Sequence, residues 1–224
     1  MAGATTGSSV LGLAFDGGVI IAADTLVSYG SMARFRSCDR FKVVNKHTVV
    51  AASGDYADYQ FLTKIIHQKQ IEERQWNDGL ELYPAALHSW ITRVSYNRRS
   101  KFQPLWNAWM VGGLQPNEET GALEPFLGFV DKLGTAYKSN VIATGLGNHL
   151  SMPLFRELTE SADRLPTEQE ARALVTKCLQ VLYYRDARSW AKYKQVIIRA
   201  DGAHEEGPIE FKGNWDLARE VVEE

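Results

Sequence analysis

The chain has 224 residues, is 45% apolar and 23% charged, and sets 25 basic against 27 acidic side chains for a formal charge of −2. That composition excludes a disordered chain and leaves no electrostatic footprint for nucleic acid or an anionic membrane. No apolar run approaches the ~18 residues of a membrane span, and the start MAGATTGSSV lacks the basic flank and greasy stretch of a secretory signal. Cys38 and Cys178 lie far apart with no CxxC spacing, which fits two packing residues in a reducing, intracellular compartment.

Strands are expected over residues 9–15 and 19–23, joined at Asp16-Gly17-Gly18, because Gly supplies the positive φ of a tight hairpin at no steric cost. A second pair, 41–45 and 48–52, flanks Lys46-His47. From Asp55 the period becomes helical, with Phe61, Leu62, Ile65 and Ile66 on one face and Lys64, Gln68, Glu72 and Glu73 on the other. A second helix is expected over 84–100, where Pro84 suits the first turn and Leu87, Ile91 and Val94 form the apolar stripe.

Strands resume at 105–114, 126–133, 136–137 and 141–144, followed by helices from 148 to about 161 and from 167 to 187. The last of these opens with Thr167 and Glu170 at capping-box spacing and carries Ala171, Leu174, Val175, Cys178, Leu179 and Leu182 at i, i+3, i+4. Strands at 195–199 and 209–211 and a short helix over 216–223 complete the expected elements. No linker, low-complexity block or repeat interrupts the pattern, so residues 1–224 read as a single domain. Hairpin-joined strands segregated from two helix pairs predict an α+β fold in which about ten strands form two stacked sheets between helix layers.

The usual chemical motifs are missing. His47, His67, His88, His149 and His204 never form the H-E-x-x-H spacing of a zinc site, Gly145-Leu146-Gly147 is too short for a dinucleotide loop, and neither a phosphate loop nor GxSxG occurs. No metal and no cofactor is expected. Arg93, Arg98, Arg99 and Lys101 cluster at a helix end, where they complement the C-terminal carbonyls. Trp76, Trp90, Trp106, Trp109, Trp190 and Trp215 read as core and interface filler.

Four separated strings, TGSSVLGLAFDGGVIIAAD (6–24), SGDYAD (53–58), ATGLG (143–147) and YYRDARS (183–189), carry a resemblance across nearly the whole chain. In this order they resemble the beta subunits of the eukaryotic 20S proteasome, which are N-terminal nucleophile hydrolases. SYGSMARF (28–35), RRSKFQPLWNAW (98–109), YYRDARS and NWD (214–216) are most similar to a non-catalytic branch, the seventh member of the beta ring. The resemblance implies a four-layer αββα sandwich. It also implies a place in a 28-subunit core particle of two beta and two alpha heptameric rings, in cytoplasm and nucleus, with the regulatory particle as an indirect partner.

Active members of that family use an N-terminal threonine whose own α-amino group, with an ordinary pKa of about 7.7–8.0, is the base. Counting back from Phe15-Asp16-Gly17-Gly18 places the nucleophile position on Ser8, after Gly7. The family's active-site lysine falls on Arg40, a planar group that is never deprotonated, and the serine that hydrogen-bonds near the amine falls on Leu146, which has no donor or acceptor. Asp24, Asp186 and Ser189 stand at family positions, and Gly54 stands where a backbone N–H stabilises the oxyanion. The expectation is a structural role for these residues: Asp24 as a bidentate partner of Arg40, and Asp186 held between Arg185 or Arg188 and nearby backbone. With residues 1–7 as an extension, Ser8 has no free amine.

Two further readings stand beside that of a ring-completing scaffold. One is an active threonine- or serine-type endopeptidase in which processing exposes Thr5, Thr6 or Ser8; the other is a free-standing α+β binding module. The C-terminal residues 217–224, LAREVVEE, are expected to touch an opposite ring.

Overall fold

A computed structural model describes residues 4–78, 81–160 and 164–216. In chain order its elements are β1 (Thr5–Gly7), β2 (Val10–Phe15), β3 (Gly18–Asp24), β4 (Val27–Tyr29), β5 (Met32–Phe35), β6 (Phe41–Asn45), β7 (Thr48–Asp55), α1 (Tyr56–Trp76) and α2 (Pro84–Ser100). There follow β8 (Asn107–Pro116), β9 (Leu123–Val130), β10 (Ala136–Lys138), β11 (Val141–Ala143), α3 (Gly147–Leu150), α4 (Met152–Glu160), α5 (Glu168–Arg185), β12 (Lys192–Arg199) and β13 (Gly202–Glu210).

The strands make two antiparallel sheets. One has the order β10-β9-β8-β7-β1-β4-β5 with β6 also on β7, and the other has the order β11-β2-β3-β12-β13. Period-2 alternation divides each strand between two cores. Val10, Ala14, Val19 and Ile21 face the first sheet's Val49, Ala51, Met110 and Leu127 in a layer between the sheets. Leu11, Leu13, Phe15 and Ile20 point the other way, onto Phe155, Val175, Cys178 and Leu182 of the C-terminal helices. Val50, Trp109 and Val111 pack against Leu62, Ile66, Leu87 and Ile91 of α1 and α2. The result is the expected αββα sandwich.

Local chemistry sets the element ends. Phe15 pairs with Gly18 across the two-residue turn Asp16-Gly17, with Gly17 at φ +84°. The Asp55 carboxylate caps α1 by accepting from the Asp58 N–H at 2.9 Å. Thr167 and Glu170 form the full capping box of α5, in which each side chain accepts from the other residue's backbone N–H.

Several expectations shift. The helix expected from 148 to about 161 is two helices broken at Ser151, because Pro153 has no N–H to donate and its ring crowds the carbonyl four residues back; residue 161 itself lies outside the described residues. Phe61 is exposed, since α1 buries the stripe Tyr59, Leu62 and Ile66, and Arg98 covers its ring at 5.6 Å. The strand expected at 126–133 runs three residues earlier, and the one at 209–211 is the end of the longer β13. Strands β1, β4 and β5 were not anticipated, being three or four residues long. The helix expected at 216–223 falls, beyond Asp216, outside the described residues.

Candidate functional site

Ser8 and Ser9 carry the chain from β1 in the first sheet to β2 in the second, so this crossing sits where the two sheets meet. Asp24 arrives at the same place as the last residue of β3, and Arg40 as the residue before β6. The Ser8 hydroxyl donates to Asp24 Oδ2 at 2.8 Å. Arg40 Nη1 donates to Asp24 Oδ1 at 2.9 Å and to Ser8 Oγ at 3.3 Å. Its Nη2 donates to the Ser8 carbonyl and, at 3.5 Å, to the Ala52 carbonyl. The expected Asp24–Arg40 pair therefore forms but is not bidentate: Ser8 takes the second carboxylate oxygen, and backbone carbonyls take the second guanidinium nitrogen.

Asp24 is 4% exposed and Arg40 is 2% exposed. Burial pushes the Asp24 carboxyl above the usual carboxylate range, while the Arg40 charge, the Ser8 hydroxyl and the Leu26 N–H pull it back. The guanidinium fills the space so closely that a Cβ on Gly7 would lie 2.5 Å from Arg40 Nε. Chemically this is a closed ring of donors and acceptors. Arg40 cannot take a proton, it donates into the oxygen that would have to attack, and the Ser8 nitrogen is an amide bonded to Gly7.

Ahead of Ser8, β1 lies between β7 and β4, with Gly7 opposite Gly54, Thr6 opposite Asp55 and Ser28, and Thr5 opposite Tyr29. Gly54, the expected oxyanion position, is thus directly across from the residue that precedes Ser8. It adopts φ +94°, and a Cβ there would meet the Trp106 carbonyl oxygen at 2.2 Å, which explains the requirement for glycine.

The other expected positions make no hydrogen bond to the Ser8 hydroxyl, which bonds Asp24 and Arg40. Leu146 occupies the N-cap of α3 with no side-chain cap bond, and its side chain is exposed. Asp186 ends α5; its carboxylate accepts from the Arg188 backbone N–H at 2.9 Å, and its carbonyl accepts from the Ser189 N–H at 3.0 Å. Backbone, rather than the expected guanidinium of Arg185 or Arg188, holds Asp186. Neither Asp186 nor Ser189 bonds the Ser8 side chain.

Two residues escaped the sequence reasoning. Ser9 Oγ accepts from the Gly147 N–H at 2.8 Å, and Thr144 Oγ1 accepts from the Val10 N–H at 2.8 Å, so the β2 start is tied to the 143–147 segment. The Ser8-Ser9 doublet was the available signal, since one of two adjacent side chains must face the opposite side of the strand. Burial raises both thiols, Cys178 to about 12, so neither is a ready thiolate nucleophile. Among the described residues, no three His, Cys, Asp or Glu side chains gather at metal-binding distance, and no helix is long and apolar enough to cross a membrane.

The sequence model of the family described as "Proteasome subunit" matches residues 4–198, which include every site position named above. "Proteasome subunit beta type-4" of Xenopus laevis is 52% identical over 213 residues, covering 95% of this chain and 85% of that protein. The protein of the same name from Drosophila melanogaster is 45% identical over 220 residues, covering 98% of this chain and 80% of the relative. "Proteasome subunit beta type-7" of Saccharomyces cerevisiae (strain ATCC 204508 / S288c) is 38% identical over 229 residues, covering 96% and 82%. With two stacked antiparallel sheets between helix layers and a family match over most of its length, the chain belongs to the proteasome subunit family.

Proposed function

We propose that this chain is a non-catalytic beta subunit of the 20S proteasome core particle, of the kind called beta type-4. It completes the heptameric beta ring and supports ring–ring assembly for protein degradation. The family assembles with other proteasome subunits, and the names of the relatives at 52% and 45% identity support the beta type-4 assignment. The observation that carries the non-catalytic reading is Arg40: it donates to Ser8 Oγ and to Asp24 at once, filling the place of a small ammonium with a charge that cannot be shared as a proton. The pairing of residues 5–7 between β4 and β7 supports the same reading, because it holds the residues before Ser8 inside the sheet. The partners of this reading are the alpha and beta subunits of two beta and two alpha heptameric rings, and its setting is the cytoplasm and nucleus.

Assembled particles treated with a covalent probe for N-terminal nucleophiles should show this chain unlabelled while other beta subunits react. Label on Ser8 would sink the proposal, as would an intact mass showing cleavage ahead of Thr5, Thr6 or Ser8 together with peptidase activity that depends on this chain.

A further inference from the structure

The basic cluster at the end of α2 takes no part in the site around Ser8. Between Glu81 and Glu118 the chain contains no Asp or Glu, yet it carries Arg93, Arg98, Arg99 and Lys101. Among the described residues none of these four forms an ion pair. The negative end of α2 does not tie them down either, because the Asn97, Arg98 and Arg99 carbonyls already accept from the backbone N–H groups of residues 101–103. Arg99 lies instead over the Tyr96 ring, 5.3 Å from its centre. Four cations without a counter-charge, in a chain whose total is −2, are a segregated patch and not a by-product of composition.

The patch has a shape. Arg93, Tyr96, Asn97, Ser100 and Lys101 line one side of a groove of about 720 Å³, and Gly134 of the β9–β10 turn lines the other. The turn is pressed onto the helix: Gly134 adopts φ +87°, and a Cβ there would lie 2.8 Å from Tyr96 Cβ. Asp131, the carboxylate of that turn, accepts from the Leu133 and Thr135 N–H groups at 2.8 Å each and pairs with neither Arg93 nor Lys101. Tyr96 is 56% exposed, and Phe102, one residue past Lys101, is 95% exposed at φ +56°. A bulky side chain in the left-handed region is strained, and a ring left in water gains nothing within this chain to offset that strain.

Unpaired cations beside exposed aromatic rings specify a partner that is acidic and apolar at once. We propose that the groove between α2 and the β9–β10 turn docks an acidic segment of another subunit of the particle. Its carboxylates lie on Arg93 and Lys101, and an apolar side chain between them lies on Tyr96 and Phe102. Arg93 and Lys101 are eight residues apart, about 12 Å along the helix axis, a span that about four residues of extended chain cover. A short acidic segment suits a patch of this length, whereas a long polyanion would meet the net negative charge of the rest of the chain. The proposal rests on this chain's assembly with other proteasome subunits, and adds which face holds one of them and by what chemistry.

The test uses assembled particles in which Tyr96 is replaced by photoreactive benzoylphenylalanine. Irradiation should crosslink this chain to another subunit, at a segment with at least two Asp or Glu and an apolar residue within six positions. Adding Arg93→Glu and Lys101→Glu together should lower the crosslink yield about tenfold in particles that still contain this chain. Particles that contain this chain but give no crosslink would overturn the proposal alone, as would a crosslink to a segment without carboxylates, to a second copy of this chain or to nucleic acid. Particles lacking this chain altogether would refute its assembly and the proposal with it. Should the double charge reversal prevent assembly, the identity of the segment crosslinked from residue 96 in particles with Arg93 and Lys101 intact decides.

Discussion

The Asp24–Arg40 pair lies at the meeting of the two sheets, almost wholly out of water, whereas Glu168, Arg172, Arg199 and Glu206 form a network in which every side chain is 29–36% exposed. Both regions hold carboxylates against guanidiniums at 2.5–2.9 Å. Yet their carboxyl groups shift in opposite directions. Hydrogen bonds, first from Arg199 and Arg172 respectively, draw Glu168 and Glu206 down to about 2, while loss of water pushes Asp24 up despite its cation. Geometry being similar, solvent decides the sign.

Breaking the buried pair is the strongest test of that contrast. Arg40→Met would strand Asp24 without a cation and should cost about 3–5 kcal/mol in denaturant unfolding of the chain. A loss below about 1 kcal/mol would mean that the two regions do not differ. Replacing both partners, Arg40→Met with Asp24→Leu, removes the charge together with its counter-charge and should return most of the lost stability; a double variant no better than the single one would show that the Ser8 and Ala52 bonds of Arg40 matter more than the ion pair.

Thr167→Ala, next to the exposed network, removes half of a capping box and should cost about 1 kcal/mol by the same measurement. Glu168→Gln should cost less than about 1 kcal/mol at pH 7, since water and salt screen a network of this exposure. The network has its own pH signature. Glu168 and Glu206 are depressed in the folded state, so their contribution is complete above the unfolded value of 4.5 and is lost as pH falls toward 2. Raised Asp24 runs the other way: its contribution is present below 3.8 and is lost as pH rises through its folded value. Acid titration of stability should therefore flatten between pH 4.5 and 2 in Glu168→Gln, whereas Asp24→Asn should change the slope only above 3.8, where it steepens the loss on acidification; parallel curves for the two variants would contradict the contrast.

Much of this architecture is written in local pattern. The Asp16-Gly17 hairpin, the α1 start, the Pro84 helix start and the Thr167 box each depend on residues within four positions of one another, and each appears where the sequence puts it. The β4–β5 hairpin was missed because strands of three and four residues around Gly30 show too little alternation to separate them from a loop. The position of β1 depends on partners 20–24 and 47–49 residues away, which no local window contains. At the site, resemblance identified Ser8, Asp24 and Arg40 as neighbours, and the structure supplied the order in which they bond.

One consequence of β1 concerns its neighbours rather than Ser8. In the first sheet, β4 meets β7 only through β1, and β5 is attached through β4. Residues 5–7 therefore act as a mortise for a hairpin whose Tyr29, Met32 and Phe35 stand exposed to any adjoining surface. Removing those three residues would open a slot the width of one strand and unseat the β4–β5 lip, so a cut between Gly7 and Ser8 is also a decision about the shape of that rim.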